Sequence, residues 1–353
     1  MAIAEQLRTL EVGTPGHQSA GYSSFTSLPR MKSTVRGRVP SCETKRQNVG
    51  VTKRGIEREL VSCLLREQFP WLADLALRDV ELGGWDNTTF RLGEHLVVRL
   101  PNEDALVEQI EKEQRWLALI AQQLPFPIPT PVHRGEPGCG FARPWSINRW
   151  LDGRPAALSA LQDLDHLADD LARFIAELQR VSTIDGPQPG MHNYYRGGPL
   201  TVFDDEARRA IHALTGLIEA DSALDVWQSA LDATWDGPSV WLHGDFTGSN
   251  LLIADDRLAG VLDFGCCAVG DPACDLAVAW TIFDGLSRDR FTHSISTDSA
   301  AWARARGWTL WKALKGLVAF PEDHPRNNGV RLGWRWTSLE VIDSLISAHH
   351  ASH

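Results

Sequence analysis

His243-Gly244-Asp245-Phe246-Thr247-Gly248-Ser249-Asn250, followed by Leu262-Asp263-Phe264-Gly265, decides the reading of this 353-residue chain. Asp245 stands as a candidate base, Asn250 offers a neutral oxygen five residues on, and Asp263 an anionic one thirteen residues further. That trio suits movement of a phosphoryl group from a nucleoside triphosphate. The group in flight carries charge that divalent cations neutralise, and a carboxylate must orient and deprotonate the attacking hydroxyl. Val240-Trp241-Leu242 before the motif and Leu251-Leu252-Ile253 after it are short apolar runs that predict strands on either side of a loop. Gly260-Val261-Leu262 then runs apolar into Asp263, with Asp255-Asp256 as the intervening turn. The acid therefore leaves a strand end, and the reactive groups sit on loops carried by a rigid frame.

Upstream, Ile56, Leu60, Val61, Leu64, Leu65 and Phe69 recur at helical spacing. Strands are predicted at 78–82, 88–92 and 95–100, the last two joined by a tight hairpin at Gly93-Glu94. Between the first two lies Gly83-Gly84-Trp85-Asp86-Asn87, a glycine-containing turn able to close over phosphates with its backbone N–H groups. Asn87 or Thr88 either donates to phosphate there or simply turns the chain. A helix is predicted over 104–122, then Pro127, Pro129 and Pro131 break the chain before a strand at 141–150. Beyond it the pattern turns helical. Leu167, Leu171, Ile175, Leu178 and Val181 form one apolar face, and further helices are predicted around Trp302, over 306–315 and over 332–346. Fourteen tryptophans are too many for an ordinary surface, so most must fill core, with one or two free to face a cleft.

From Trp85 to about Ile346 the chain resembles the aminoglycoside phosphotransferase family of small-molecule kinases. The resemblance rests on Gly84-Trp-Asp-Asn-Thr-Thr-Phe-Arg-Leu-Gly93, Val97-Val-Arg-Leu-Pro101, the two motifs quoted above, and Gly270-Asp-Pro-Ala-Cys-Asp-Leu-Ala277. It implies an α+β, bilobal, protein-kinase-like fold: a small β-rich N-lobe with one long helix, and a larger, mainly helical C-lobe. Residues 1–54 would be a tail, 55–150 the nucleotide-binding lobe, and 151–348 the lobe carrying the catalytic loop and the acceptor. The resemblance also implies Asp245 as catalytic base, Asn250 and Asp263 as Mg2+ ligands, and ATP or GTP as phosphate donor. His243 and Asp275 would support the catalytic loop, and backbone groups from Arg149 to Leu151 would meet the purine edge. The family's third-strand lysine is replaced here by Arg99, whose longer planar fork still reaches phosphate. Glu113 is its expected acidic partner, with Glu108 and Glu111 as the other choices on that helix.

Composition narrows the partners. No apolar run approaches the roughly eighteen residues of a membrane span. The formal net charge of −10 argues against nucleic acid and toward a cationic ligand, although mild acidity is also ordinary for soluble proteins. The six cysteines show no paired metal spacing and adjacent Cys266-Cys267 cannot easily reach separate partners, which favours a reduced, cytoplasmic protein; a monomer or dimer is expected. Residues 1–54 hold nine Lys/Arg against three Asp/Glu and no apolar periodicity. They read as a disordered basic tail, either transit-like or an artefact of an upstream start. Gly270-Asp271-Pro272 begins only five residues after Gly265, too soon for a peptide-docking segment, so the acceptor is expected to be a small hydroxyl compound. An aminoglycoside-type antibiotic heads the expectations; a macrolide, amino alcohol, sugar or other metabolite is the alternative, and a non-catalytic nucleotide-binding pseudokinase a third. Segment 201–236 carries eight acidic residues against two arginines. They either bind the ammonium groups of such an acceptor or form a solvated helix surface.

Overall fold

Apolar residues alternate along two strands of the small lobe, β2 (Asn87–Leu92) and β3 (Leu96–Pro101). The alternation sends Phe90, Leu92, Val98 and Leu100 to one face of a sheet. The computed structural model describes residues 56–80, 86–159, 161, 164–319 and 334–351, all within one compact unit, Lys53–His353. The basic tail, the Gly83-Gly84-Trp85 turn and the start of the final expected helix lie outside the described residues. The sheet is antiparallel, in the order β1-β2-β3-β5-β4, with β1 at Leu77–Asp79, β4 at Pro131–Gly135 and β5 at Trp145–Arg149. Helix α1 (Arg58–Gln68) covers the apolar face, seating Val61, Leu64 and Leu65 against Trp145 and Ile147.

Three details depart from expectation. The β2–β3 connection closes at the Leu92–Leu96 pair, so its loop is Gly93-Glu94-His95, one residue longer than a two-residue hairpin, with Gly93 left-handed at φ +58°. Strand β4 forms where three prolines promised only a break. It lies at the sheet's edge, where the N–H that Pro131 lacks is not needed. Finally, Cys63 on α1 and Cys139 before β5 are joined by a disulfide, their Cα atoms 6.1 Å apart. The expectation of uniformly reduced cysteines is therefore corrected. The pairing spans 76 residues and only the fold brings it together. Cys266, Cys267 and Cys274 are free.

The long helix α2 (Val107–Ala121), entered through a 3-10 turn at Asp104–Leu106, belongs to both lobes. Its first half carries Glu113 under the sheet, while Leu117 and Ile120 are buried in the larger hydrophobic core. That core is built on α3 (Asp165–Arg180), α4 (Asp204–Ala213), α5 (Ala220–Asp232), α6 (Val278–Thr281), α7 (Gly285–Ser294), α8 (Ser299–Ala319) and α9 (Ser338–His350). Helix α8 runs through its middle, with Trp308, Leu310, Trp311 and Leu314 all buried. Two small antiparallel sheets mount the loops quoted at the outset. One pairs β6 (Arg154–Pro155), β8 (Leu251–Ala254) and β9 (Arg257–Val261), and the other pairs β7 (Val240–Leu242) with β10 (Ala268–Gly270). The β8–β9 turn is Asp255-Asp256 as expected, both residues left-handed.

Candidate active site

The loop between β7 and β8 is shaped by its own side chains. The carboxylate of Asp275 is buried and accepts the backbone N–H groups of His243 (2.8 Å) and Gly244 (2.7 Å). Burial pushes this carboxyl up to about 7, against the pull of those two N–H groups. His243 ties the loop to the strand end that bears Asp263. Its Nδ1 faces the Asp245 N–H at 3.1 Å and its Nε2 faces the Leu262 carbonyl at 2.8 Å. Both contacts are met only if Nδ1 accepts and Nε2 donates, which fixes one neutral tautomer. Burial also depresses this imidazole below its ordinary 6.5. Gly244 is left-handed at φ +83°, and a Cβ there would meet the Cys266 carbonyl oxygen at 2.6 Å. Leu262 N–H donates to the Asn250 carbonyl at 2.7 Å, bringing the two expected metal ligands to adjoining backbone positions.

Asn250 donates its Nδ2 to the Asp245 carbonyl at 3.0 Å, which turns its side-chain oxygen the other way. Asp263 is left-handed (φ +61°), and its Oδ1 accepts from Gly265 N–H at 3.4 Å. About a third of its side chain is exposed. Two hard oxygen donors therefore stand beside the loop, one anionic and one neutral. No group of three or more His, Cys, Asp or Glu able to hold a metal occurs among the described residues. That donor set fits Mg2+, which takes one or two protein oxygens and completes its shell with phosphate and water.

The small lobe supplies a guanidinium from above. Arg99 Nη1 donates to Glu113 Oε2 at 2.6 Å, and Nη2 lies 3.8 Å from Asp263 Oδ1. Glu108 and Glu111 are not in that contact. Burial works against the Arg99 charge, but Glu113 and Asp263 together hold its pKa above the ordinary value. Burial pushes Glu113 up while Arg99 pulls it back. Strand register places Asn87, Ser146 and Asn148 on the same face of the sheet as Arg99. Asn87 Oδ1, Ser146 Oγ, Asn148 Oδ1 and Glu113 Oε1 are all buried without a hydrogen-bond partner. Such orphans are rare, and a cluster on one face marks where a polar ligand belongs. Thr88 is not among them, since its hydroxyl donates to Asn102 Oδ1 at 2.7 Å and holds the sheet's end. The Arg149 and Trp150 N–H groups bond to Thr130 and His95, so Leu151 is the first residue past that pairing.

Three cations at the site gave no signal in the motifs. Lys112, beside Glu113 on α2, donates to the carbonyls of Gly265 (2.6 Å) and Cys267 (2.9 Å), fastening α2 to the chain after Asp263. Lys312 on α8 is ion-paired with the Asp245 carboxylate. Arg196 comes from a loop with Tyr194, Tyr195 and Gly197 all left-handed, held by the buried Asn193, whose Nδ2 donates to the Arg196 and Cys266 carbonyls. Burial opposes the Asp245 charge, but Lys312 and Arg196 outweigh it and hold the carboxyl below the usual range. Lys312 was detectable in principle: it interrupts the apolar run Trp308-Thr-Leu-Trp-Lys312-Ala-Leu. A small cavity of about 10 Å³ in front of Asp245 is lined by Arg196, Phe246, Trp308, Lys312 and Trp334. None of the eight acids of 201–236 lines it. Asp204 and Glu206 accept indole N–H bonds from Trp227 and Trp311, and the other six are exposed.

A family model described as the APH phosphotransferase enzyme family matches residues 80–308. The chain belongs to that family. An uncharacterized protein of Bacillus subtilis, YcbJ, is 27% identical over 209 residues, which cover 53% of this chain and 63% of that protein. The match thus spans less than two thirds of this APH relative. Among solved structures, the GDP complex of wild-type aminoglycoside 2'-phosphotransferase-IIIa is 17% identical with a TM-score of 0.58, covering 82% of this chain and 98% of that one. Macrolide 2'-phosphotransferase MphH from Brachybacterium faecium is 22% identical with a TM-score of 0.51, covering 74% and 91%. At these identities the likeness carries the APH fold, with its small antiparallel lobe and its helical lobe.

Proposed function

We propose that this protein transfers the terminal phosphate of a nucleoside triphosphate to a hydroxyl of a small molecule. The observation that carries the reading is convergence: Asp245, Asn250 and Asp263 share one backbone-linked loop pair, and Arg99 reaches Asp263 from the opposite lobe. The roles follow from the chemistry of each group. Asp245 stays ionised and accepts the proton of the attacking hydroxyl. The new oxygen–phosphorus bond forms as the bond to the bridging oxygen breaks, and that electron pair leaves with the nucleoside diphosphate. Asp263 and the Asn250 side-chain oxygen would hold Mg2+, which when bound offsets the charge of the phosphates. Arg99, aimed by Glu113, grips phosphate oxygens bidentately, and Asn87 on the same sheet face offers a polar atom that lacks a partner. His243 and Asp275 keep the loop in shape and take no part in the chemistry. The residues around Leu151, beyond the sheet pairing, receive the base.

GDP is the nucleotide named with one solved neighbour, and the two neighbours are named for acting on aminoglycosides and macrolides. Either ATP or GTP suits the donor site, and a small hydroxyl-bearing compound suits the acceptor site. The test is direct. The purified full chain is incubated with Mg-ATP or Mg-GTP and a set of hydroxyl compounds, including aminoglycosides and macrolides, and phosphorus NMR follows a new phosphate ester. A phosphorylated product that depends on Asp245 is expected. Failure to bind either magnesium nucleotide would overturn the reading.

A further inference from the structure

Two cations, Arg196 and Lys312, line the small cavity in front of Asp245. Arg196 is nine-tenths buried, its Nε has no hydrogen-bond partner, and it forms no ion pair with a carboxylate among the described residues. Its guanidinium carbon lies 4.8 Å from the Trp311 ring centre and 5.6 Å from that of Trp308. Two indole faces partly offset its desolvation, and the left-handed pair Tyr194-Tyr195 fixes the loop that presents it. Asp245 and Asp275 act on Arg196 only at longer range, so no carboxylate is hydrogen-bonded to this buried guanidinium, a costly arrangement that a bound oxyanion would relieve. Lys312 stands on the same wall, its ammonium on Asp245 and 5.9 Å from the Trp334 ring. Among the described lining residues Asp245 is the only carboxylate, against two cations; Asp275 lies behind the wall, its oxygens taken by the His243 and Gly244 N–H groups.

We infer that the acceptor is a small hydroxylated anion, its carboxylate or phosphate group seated on Arg196 and Lys312 and its hydroxyl presented to Asp245. This rests on the proposed phosphate transfer and adds the substrate class to it. A guanidinium offers two parallel N–H donors to such an oxyanion, and the ammonium's three donors let Lys312 serve Asp245 and the ligand together. The indoles of Trp308 and Trp334 line the same cavity, whose volume of about 10 Å³ must widen to admit the carbon skeleton between the two groups.

Two measurements separate this inference from the reading beneath it. First, the intact chain is titrated with inorganic phosphate and with malonate at constant ionic strength while tryptophan fluorescence is followed; Trp308 and Trp311 flank Arg196. Saturable quenching is expected, weakened about tenfold or more in Arg196→Gln and largely kept in Arg196→Lys. Both variants are first shown by circular dichroism and thermal melting to be folded. Second, turnover is compared for hydroxy acids, sugar phosphates, the amides of the same hydroxy acids, and aminoglycosides. The anions should be phosphorylated and the amides and aminoglycosides not, with Arg196→Gln raising the acceptor KM and leaving the nucleotide KM unchanged. Turnover of hydroxy acids without sugar phosphates, or the reverse, identifies which oxyanion the site takes. The inference is overturned if Arg196→Gln shifts the nucleotide KM instead, if aminoglycosides turn over as well as the anions, or if wild-type quenching is absent. Quenching without binding of either magnesium nucleotide would sink the phosphate-transfer reading and leave the anion site standing.

Discussion

Asp245, Arg99 and Glu113 are the side chains whose replacement is most diagnostic. Asp245→Asn keeps the shape and removes the proton acceptor, so kcat should fall roughly 10²–10⁴-fold while nucleotide affinity is retained; rapid single-turnover assays and equilibrium binding on the same sample check both halves. Arg99 and Glu113 form a buried pair whose side chains are 12% and 4% exposed. Removing one partner strands the other, so Arg99→Met should cost about 3–5 kcal/mol of stability. The double variant Arg99→Met/Glu113→Leu should cost less than Arg99→Met alone. Urea unfolding of Arg99→Met, Glu113→Leu and the double variant measures it, and additive losses would show that the pair is not coupled. The choice of Glu113 over Glu108 and Glu111 was not decidable from helical spacing. It depended on which turn of α2 lies under Arg99.

The loop between β7 and β8 behaves as a unit because its constraints are backbone constraints. Gly244→Ala places a Cβ 2.6 Å from the Cys266 carbonyl oxygen at a left-handed position. The expected loss is about 1–3 kcal/mol, with a larger fall in kcat than in nucleotide affinity, read from melting and initial rates. His243 gives the loop an acid limit. Its folded-state pKa is depressed below 6.5, so its contribution is present above that pH and is lost as pH falls. Asp275, raised to about 7, has the opposite sign: its contribution is greatest in acid and declines as pH climbs to 7. His243→Gln removes only the first, so its stability relative to the parent should improve steadily from about pH 7 to pH 5. Denaturant midpoints across that range test it. Much of this element was legible in the sequence, because the apolar triplets Val240–Leu242 and Leu251–Ile253 bracket the motif and Asp255-Asp256 can only turn. Strand β4 was not, since Pro131 reads as a breaker until an edge position makes it harmless. Nor was Arg196, and Lys312 shows only as a break in an apolar run, which does not reveal what it faces.

At the scale of the molecule, the lobes are joined more firmly than a hinge alone would allow. Leu117 and Ile120 of α2 sit in the large core while Glu113, one turn earlier, serves Arg99 in the small lobe. Hydrogen exchange at 117–120 should therefore track the large lobe and be slower than at β1 and β2; exchange matching the small sheet would show that α2 opens with it. The disulfide lay beyond sequence reading for the same reason as the cations, because partners 76 residues apart meet only in three dimensions. Lys112 completes the linkage by clasping the carbonyls of Gly265 and Cys267. On the proposed function, spent nucleotide would escape without α2 swinging outward. The five-stranded sheet would then be what yields, like a lid over a fixed keel, while Asp263 and the Lys112 clasp behind it keep their spacing.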